Sequence, residues 1–221
     1  QGNGPTGTSV VLITSDAERT MNTHLGMCRE FNVKDIDEKL LMSSSFLYFT
    51  GYMWDTDSQK EAIQKAVDIA RSNNLKICFD VADPFVVERN REEFLELIKN
   101  SVDIVFANQP ELLILFQSKD IDQSIDRLMN IVKCGGVKLG KKGSIVFNNF
   151  EKNNIEPKLI SAKDTTGAGD MYAAGFLSQF FKTNDYIASG EIGSVLAEEI
   201  IQINGAQFNK NMMSQIRSKI F

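Results

Sequence analysis

Apolar and polar positions alternate along this chain in blocks of two different periods. In "QKEAIQKAVDIARSNN", Ile63, Ala66, Val67 and Ala70 recur at helical spacing and predict a helix with one buried face, capped at Asp57-Ser58. Short apolar runs flank it: "SSSFLYFTGYM" ending at Gly51, then "LKICFDVADP" and "VDIVFAN", each strand-like. Between these strands lie "ERNREEFLELIKN" and "PELLILFQ", the latter a helix beginning at Pro110. A helix over about Ile121 to Lys133 follows, then Cys134-Gly-Gly and two strands, "VKLG" and "SIVFNN", joined by a turn at Lys141-Lys142. Three more helices are expected after Asp164: one to about Lys182, a longer one within Asp185 to Asn204, and one after Asn209. Upstream, Val10 to Thr14 reads as a strand, "DAE" as a turn and "RTMNTHLG" as its hairpin partner. The polar stretches "NNFEKNN" and "FFKTND" read as surface loops. Strands alternating with helices imply an α/β fold: a largely parallel sheet with helices on both faces, and ligands at the carboxyl ends of strands.

With 221 residues, 43% of them hydrophobic, the chain suits one packed domain over residues 1–221. The formal charge of -5 argues against general affinity for nucleic acid or anionic membrane, so any phosphate site must be local. Cys28, Cys78 and Cys134 lie far apart and suit neither a zinc site nor a disulfide scaffold. No run approaches the ~20 apolar residues of a membrane span, and no secretory leader is visible. These features lead us to expect a cytoplasmic protein with a small-molecule partner.

The stretch with the most chemistry is "SAKDTTGAGDMYAAGF", residues 161–176. Met171, Ala174, Leu177 and Phe181 share a helical face, which places Gly167 to Gly169 in the first turn of a buried helix. The leading N–H groups of such a helix lack internal partners and carry the positive end of its dipole. With two glycines allowing close approach, they form an anion cradle. Asp170 beside that cradle could take a proton from a hydroxyl attacking a phosphoryl group. The plainer alternative is a tight helix entry with a first-turn acid favoured by the dipole.

Asp164-Thr-Thr-Gly-Ala-Gly-Asp170 closely resembles the C-terminal signature of the ribokinase-like (PfkB) family of sugar and nucleoside kinases. "NQPE" (Asn108 to Glu111) after a strand and "VKLGKKGS" (Val137 to Ser144) before the signature support it. The resemblance implies a three-layer α/β/α fold and ATP with Mg2+. It makes Asp170 the catalytic base and Gly167, Ala168 and Gly169 the anion hole. Asn108 and Glu111 would organise magnesium near the ATP phosphates, unless the tetrapeptide is only a helix cap. Lys138, Gly140, Gly143, Thr166 and Asn204 would lie on the nucleotide side, and Asp164 with the Thr166 region on a K+ site. "NGA" at 204–206 resembles the loop that closes around the base; a helix stop is the equal alternative.

"TSVVLITSDAERTMNTHLG" and "LYFTGYMWD" resemble bacterial adenosine-kinase-like members. Arg19, Asn22 and Gly51, with Asp170, are then candidates for binding the acceptor. His24 reads as a packed or surface residue, and Trp54 as core or rim packing. The family's first strand with its sugar-gripping Asp, its Gly-Gly-Asn motif and most of its lid strands are not visible ahead of Gln1, so about a third of the usual chain is expected to be absent. Residues 1–30 would form an edge or lid-proximal hairpin, and an exposed edge could pair in a homodimer. The implied activity is ATP-dependent phosphorylation of a primary hydroxyl on a nucleoside or sugar, adenosine first. A ribokinase- or fructokinase-like sugar kinase, or a non-catalytic binding fragment on the same fold, are the alternatives.

Overall fold

In a computed structural model the described residues are 4–15, 17, 19–158 and 160–220. A two-stranded hairpin, β1 (Thr8–Ile13) and β2 (Arg19–His24), opens the chain as expected. Its turn was expected at "DAE", of which residues 16 and 18 lie outside the described ones. Six further strands form one sheet in the order β3 (Phe46–Thr50), β4 (Lys76–Asp80), β5 (Ile104–Asn108), β6 (Cys134–Lys138), β7 (Ser144–Asn148), β8 (Lys152–Ile155). The β3/β4 and β4/β5 pairs are parallel, with Thr50 opposite Asp80 and Asp80 opposite Phe106. The β7/β8 pair is antiparallel. Eight α-helices flank or follow these strands among the described residues: α1 (Glu38–Met42), α2 (Asp57–Ser72), α3 (Pro84–Ser101), α4 (Gln109–Leu115), α5 (Ile121–Met129), α6 (Ala168–Thr183), α7 (Tyr186–Ile200) and α8 (Lys210–Ile220). Among the described residues no helix is long and apolar enough to cross a membrane.

Several boundaries differ from the sequence expectation for local reasons. Thr56, rather than Asp57-Ser58, caps α2: its hydroxyl accepts from Gln59 N and the Gln59 amide oxygen accepts from Thr56 N, a reciprocal box. Helix α3 starts at Pro84, ahead of "ERNREEF", because Asp83 accepts from the Phe85 and Val86 amides and Pro84 sits in the first turn. The expected loop "NNFEKNN" contains most of β8, a polar edge strand with only Ile155 buried, so hydrophobic alternation could not show it.

The described chain divides into two compact units. The first holds residues up to 8, 23–137 and 148–150; the second holds 9–22, 138–147 and 151 onward. The first unit is centred on Phe79, Phe94, Phe106, Ile77, Ile98 and Leu112, all fully buried. Each is worth about 1.5–3 kcal/mol of apolar burial. Phe79 meets Phe49 at 5.1 Å and Phe94 at 5.1 Å between ring centroids. Trp54 joins this cluster, 5.9 Å from Phe94, and donates its Nε1–H to Glu93 at 2.6 Å. It is a core residue. His24 lies exposed on β2.

The second unit is built on a close crossing of α6 and α7. A Cβ on Gly175 would stand 2.9 Å from Gly193 Cα and 2.8 Å from Ile192 O, so the two backbones are in contact. That crossing rotates the buried face of α6 away from the expected set. Tyr172, Ala173, Gly175, Phe176 and Leu177 are buried, while Ala174 is exposed and Met171 and Phe181 are half-buried.

Candidate functional site

Helix α6 begins on Gly167, whose φ of +81° is a left-handed conformation that a side chain disfavours. A Cβ there would also stand 2.8 Å from Ala206 Cβ and 3.0 Å from Ala206 Cα. No side chain caps the helix; the Ala168 N–H reaches back to Thr165 O at 3.3 Å. Intrahelical bonding starts with Met171 N to Gly167 O at 2.9 Å. Asp170 is the acid of the first turn and is exposed. Lys138, half-buried at the end of β6, brings its Nζ within 3.3 Å of where a Gly169 Cβ would stand. A positively charged head group therefore flanks the helix entrance that sequence alone marked as an anion cradle.

The loop before this helix is held by Asp164, which is only 2% exposed. Its Oδ1 accepts from Thr166 N at 2.9 Å and from the Thr166 hydroxyl at 2.6 Å; its Oδ2 accepts from Gly205 N at 2.8 Å. Burial alone would raise its pKa. The Thr166 hydroxyl, the Gly205 and Thr166 amides and the Arg19 charge outweigh that and hold the carboxyl below its usual range. Lys163 N and Asp164 N both donate to Ile201 O, at 2.7 and 3.3 Å, which seats the loop on the end of α7. Thus the "DTT" and "NGA" segments meet through one carboxylate across 41 residues of sequence, with Gly205 at φ +86° and Asn204 exposed.

Arg19 also arrives here: its Nη1 donates to Thr165 Oγ1 at 2.9 Å, and that hydroxyl donates to Ala17 O at 3.2 Å. Asn22 lies exposed further along β2. At the β6/β7 connection, Gly140 (φ +59°) has open space around it, whereas a Cβ on Gly143 (φ +80°) would collide with Ile155 O at 2.1 Å. Lys141 sits in a short 3-10 turn, Gly140–Lys142, rather than in a plain two-residue hairpin. Behind the site, Tyr172 OH and Ser144 Oγ share a buried hydrogen bond of 2.9 Å, joining α6 to the start of β7.

The remaining candidates belong to the first unit. Asn108 caps α4: its Oδ1 accepts from Glu111 N at 2.9 Å, while Glu111 accepts from Asn108 N at 2.7 Å and from Asn108 Nδ2 at 2.5 Å. Glu111 is 1% exposed. The helix-cap alternative for "NQPE" is therefore realised, with a buried carboxylate as its partner. Gly51 directly follows β3, and a Cβ there would stand 2.4 Å from Val81 O and 3.1 Å from Phe94. Among the described residues no group of three His, Cys, Asp or Glu side chains is placed to hold a metal ion. Sequence reasoning missed Thr165, Ala17, Tyr172 and Ser144; nothing in their spacing indicates bonds across such distances in the chain.

Comparison with known proteins gives these geometries a context. The pattern of the pfkB family carbohydrate kinases matches residues 1–212. The chain belongs to that family. A probable sugar kinase from Rhizobium etli CFN 42 superposes with a TM-score of 0.93 at 32% identity, covering 98% of this chain and 67% of its own. Adenosine kinase from Sinorhizobium meliloti superposes with a TM-score of 0.93 at 35% identity, covering 97% and 66%. An uncharacterized sugar kinase from Archaeoglobus fulgidus is 24% identical over 210 residues, which are 92% of this chain and 80% of that protein. Against three clostridial 5-dehydro-2-deoxygluconokinases, each 25% identical, this pfkB chain spans 54% to 59% of their length. The α/β fold with a mostly parallel sheet is thus that of the ribokinase-like kinases.

Proposed function

We propose that this pfkB chain takes part in ATP-dependent phosphorylation of a primary hydroxyl on a nucleoside or sugar, with adenosine as the first acceptor. The observation that carries the reading is the entrance of α6: an uncapped helix N-terminus on a left-handed glycine, a lysine ammonium beside it and an exposed carboxylate in its first turn. Backbone amides and Lys138 fit a phosphate there, because both present positive charge to one point. ATP, with Mg2+, supplies the transferable phosphoryl group. In this reading the amides of Gly167 to Gly169 hold the phosphoryl oxygens and stabilise charge that grows during transfer. Asp170 accepts the proton of the attacking hydroxyl; an acid beside an anion hole has no use in mere storage of phosphate. Gly140 and Gly143 shape the nucleotide-side turn, and Asn204 edges the base loop.

Asn108 and Glu111, paired at the start of α4, would serve the magnesium ion through its waters. Asp164 with the Thr166 region would serve a K+ ion; a potassium dependence of the rate checks that part. Arg19 and Asn22, on the hairpin, and Gly51 would face the acceptor side. Adenosine is favoured by the 35% identity with the Sinorhizobium adenosine kinase, and a sugar is the second acceptor class, favoured by the Rhizobium relative at 32%. The test is ADP formation across adenosine, other nucleosides, ribose and fructose. Formation that depends on one acceptor supports the reading and names the substrate class; ATP bound without any acceptor-dependent ADP supports a binding role instead.

A further inference from the structure

Thr165 is the one signature residue with no place in the chemistry above, yet its hydroxyl makes two of the longest-range side-chain bonds in the second unit. It accepts from Arg19 Nη1 at 2.9 Å and donates to Ala17 O at 3.2 Å, across 146 and 148 residues of sequence. Ala17 is unusual in its own right. It is 3% exposed on a hairpin whose strands are exposed, and its φ of +66° is left-handed, a conformation that a Cβ disfavours. A non-glycine residue held this way needs its surroundings to fix it, and Ala17 N donates to Thr14 O at 2.9 Å while Thr165 Oγ1 donates to Ala17 O. On its other side, Thr165 O accepts from Ala168 N at 3.3 Å, within the turn that enters α6.

Resting on the reading of the α6 entrance as a phosphoryl site, we propose that Thr165 is a positioning residue. It clamps Ala17 and the Arg19 guanidinium of the hairpin to the loop that forms the anion hole. Because one hydroxyl is donor to the hairpin and acceptor from it, the clamp needs both functions. Serine can replace it; valine, of nearly the same shape, cannot. The hairpin residues Arg19 and Asn22 then keep a fixed setting relative to Gly167–Gly169, while the anion hole itself rests on Asp164 and Gly205 and does not need the clamp.

Amide hydrogen exchange on the unliganded chain separates this proposal from the functional reading, since it requires neither ATP nor an acceptor. In Thr165→Val, exchange of the β1 and Arg19–Asn22 amides should rise about tenfold, the effect of two lost hydrogen bonds, with α6 and α7 unchanged. Thr165→Ser should restore wild-type exchange. Unchanged hairpin exchange in Thr165→Val, or a rise spread equally over α6 and α7, would overturn the clamp. Where an acceptor is identified, Thr165→Val should raise its KM about tenfold and leave the ATP Kd within twofold; a shift in ATP affinity alone would also overturn it.

Discussion

Asp164→Asn exchanges one oxygen of a buried carboxylate for an amide nitrogen and leaves the shape unchanged. The remaining oxygen of the Asn can keep the two bonds from Thr166, at 2.9 and 2.6 Å in the wild type. Its nitrogen must then face the Gly205 N–H, which now donates at 2.8 Å to Asp164 Oδ2. A charge-assisted bond worth about 1.5–3 kcal/mol is lost, and a buried donor is left facing a donor. The neutral amide recovers part of the burial cost of the charge, so the net loss should be about 2–3 kcal/mol. For a chain of this size that is about 5–10 °C in Tm, and a matching fall in the urea midpoint. The pH dependence gives a second reading. The folded-state carboxyl sits below its ordinary value of 3.8, so its contribution is present in full above that value and is lost as pH falls through the lower folded pKa. The gap between wild type and Asp164→Asn should therefore hold steady through neutral pH and close only in the acid range below the ordinary value. Urea titrations of both proteins at several pH values measure it. Equal stability at neutral pH, or a gap that opens as pH falls, would refute the bracing role of Asp164.

Further substitutions test other parts. Gly167→Ala should cost about 2–4 kcal/mol, from the left-handed φ and the contact with Ala206, and should weaken ATP binding about tenfold; calorimetric titration and thermal melts read the two effects. Tyr172→Phe should cost about 1–2 kcal/mol by stranding the buried Ser144 hydroxyl, and adding Ser144→Ala should recover most of it, since removing both partners is nearly neutral; a double variant as unstable as the sum of the singles speaks against the bond. Glu111→Gln should lower the urea midpoint through the α4 cap and raise the magnesium needed for half-maximal rate; a stability change with an unchanged magnesium titration leaves Glu111 a cap only.

What could be read in the sequence follows the range of the interactions involved. Ile63, Ala66, Val67 and Ala70 are all buried on α2 because their spacing matches a single regular helix. The Asn108–Glu111 box and the Gly167 entrance are legible for the same reason: both close within four residues. Helix α6 defeats simple periodicity, because its buried stripe is set by Gly175 against Gly193 and so depends on a second helix. Edge strand β8 carries asparagines and lysine on both faces and is defined by pairing with β7. In the site, the tight helix entry of "DTTGAGD" is visible in its glycines, but the Asp164 bond to Gly205 and the Thr165 bonds to Arg19 and Ala17 connect segments whose proximity only the fold creates. Trp54 and Gly51 illustrate the converse: an aromatic and a glycine beside a strand end both pack against Phe94, a neighbour about 40 residues away in the chain that local pattern cannot name.

The central claim is that the carboxylate of Asp170 moves a proton at the entrance of α6, and one paired measurement addresses it directly. ATP affinity and acceptor-dependent ADP formation are measured on the wild type and on Asp170→Asn, under the same magnesium and potassium concentrations. The account predicts that ATP binding stays within a few-fold while ADP formation falls by ~10²-fold or more, as loss of a general base requires. Wild-type ADP formation retained in Asp170→Asn would contradict it.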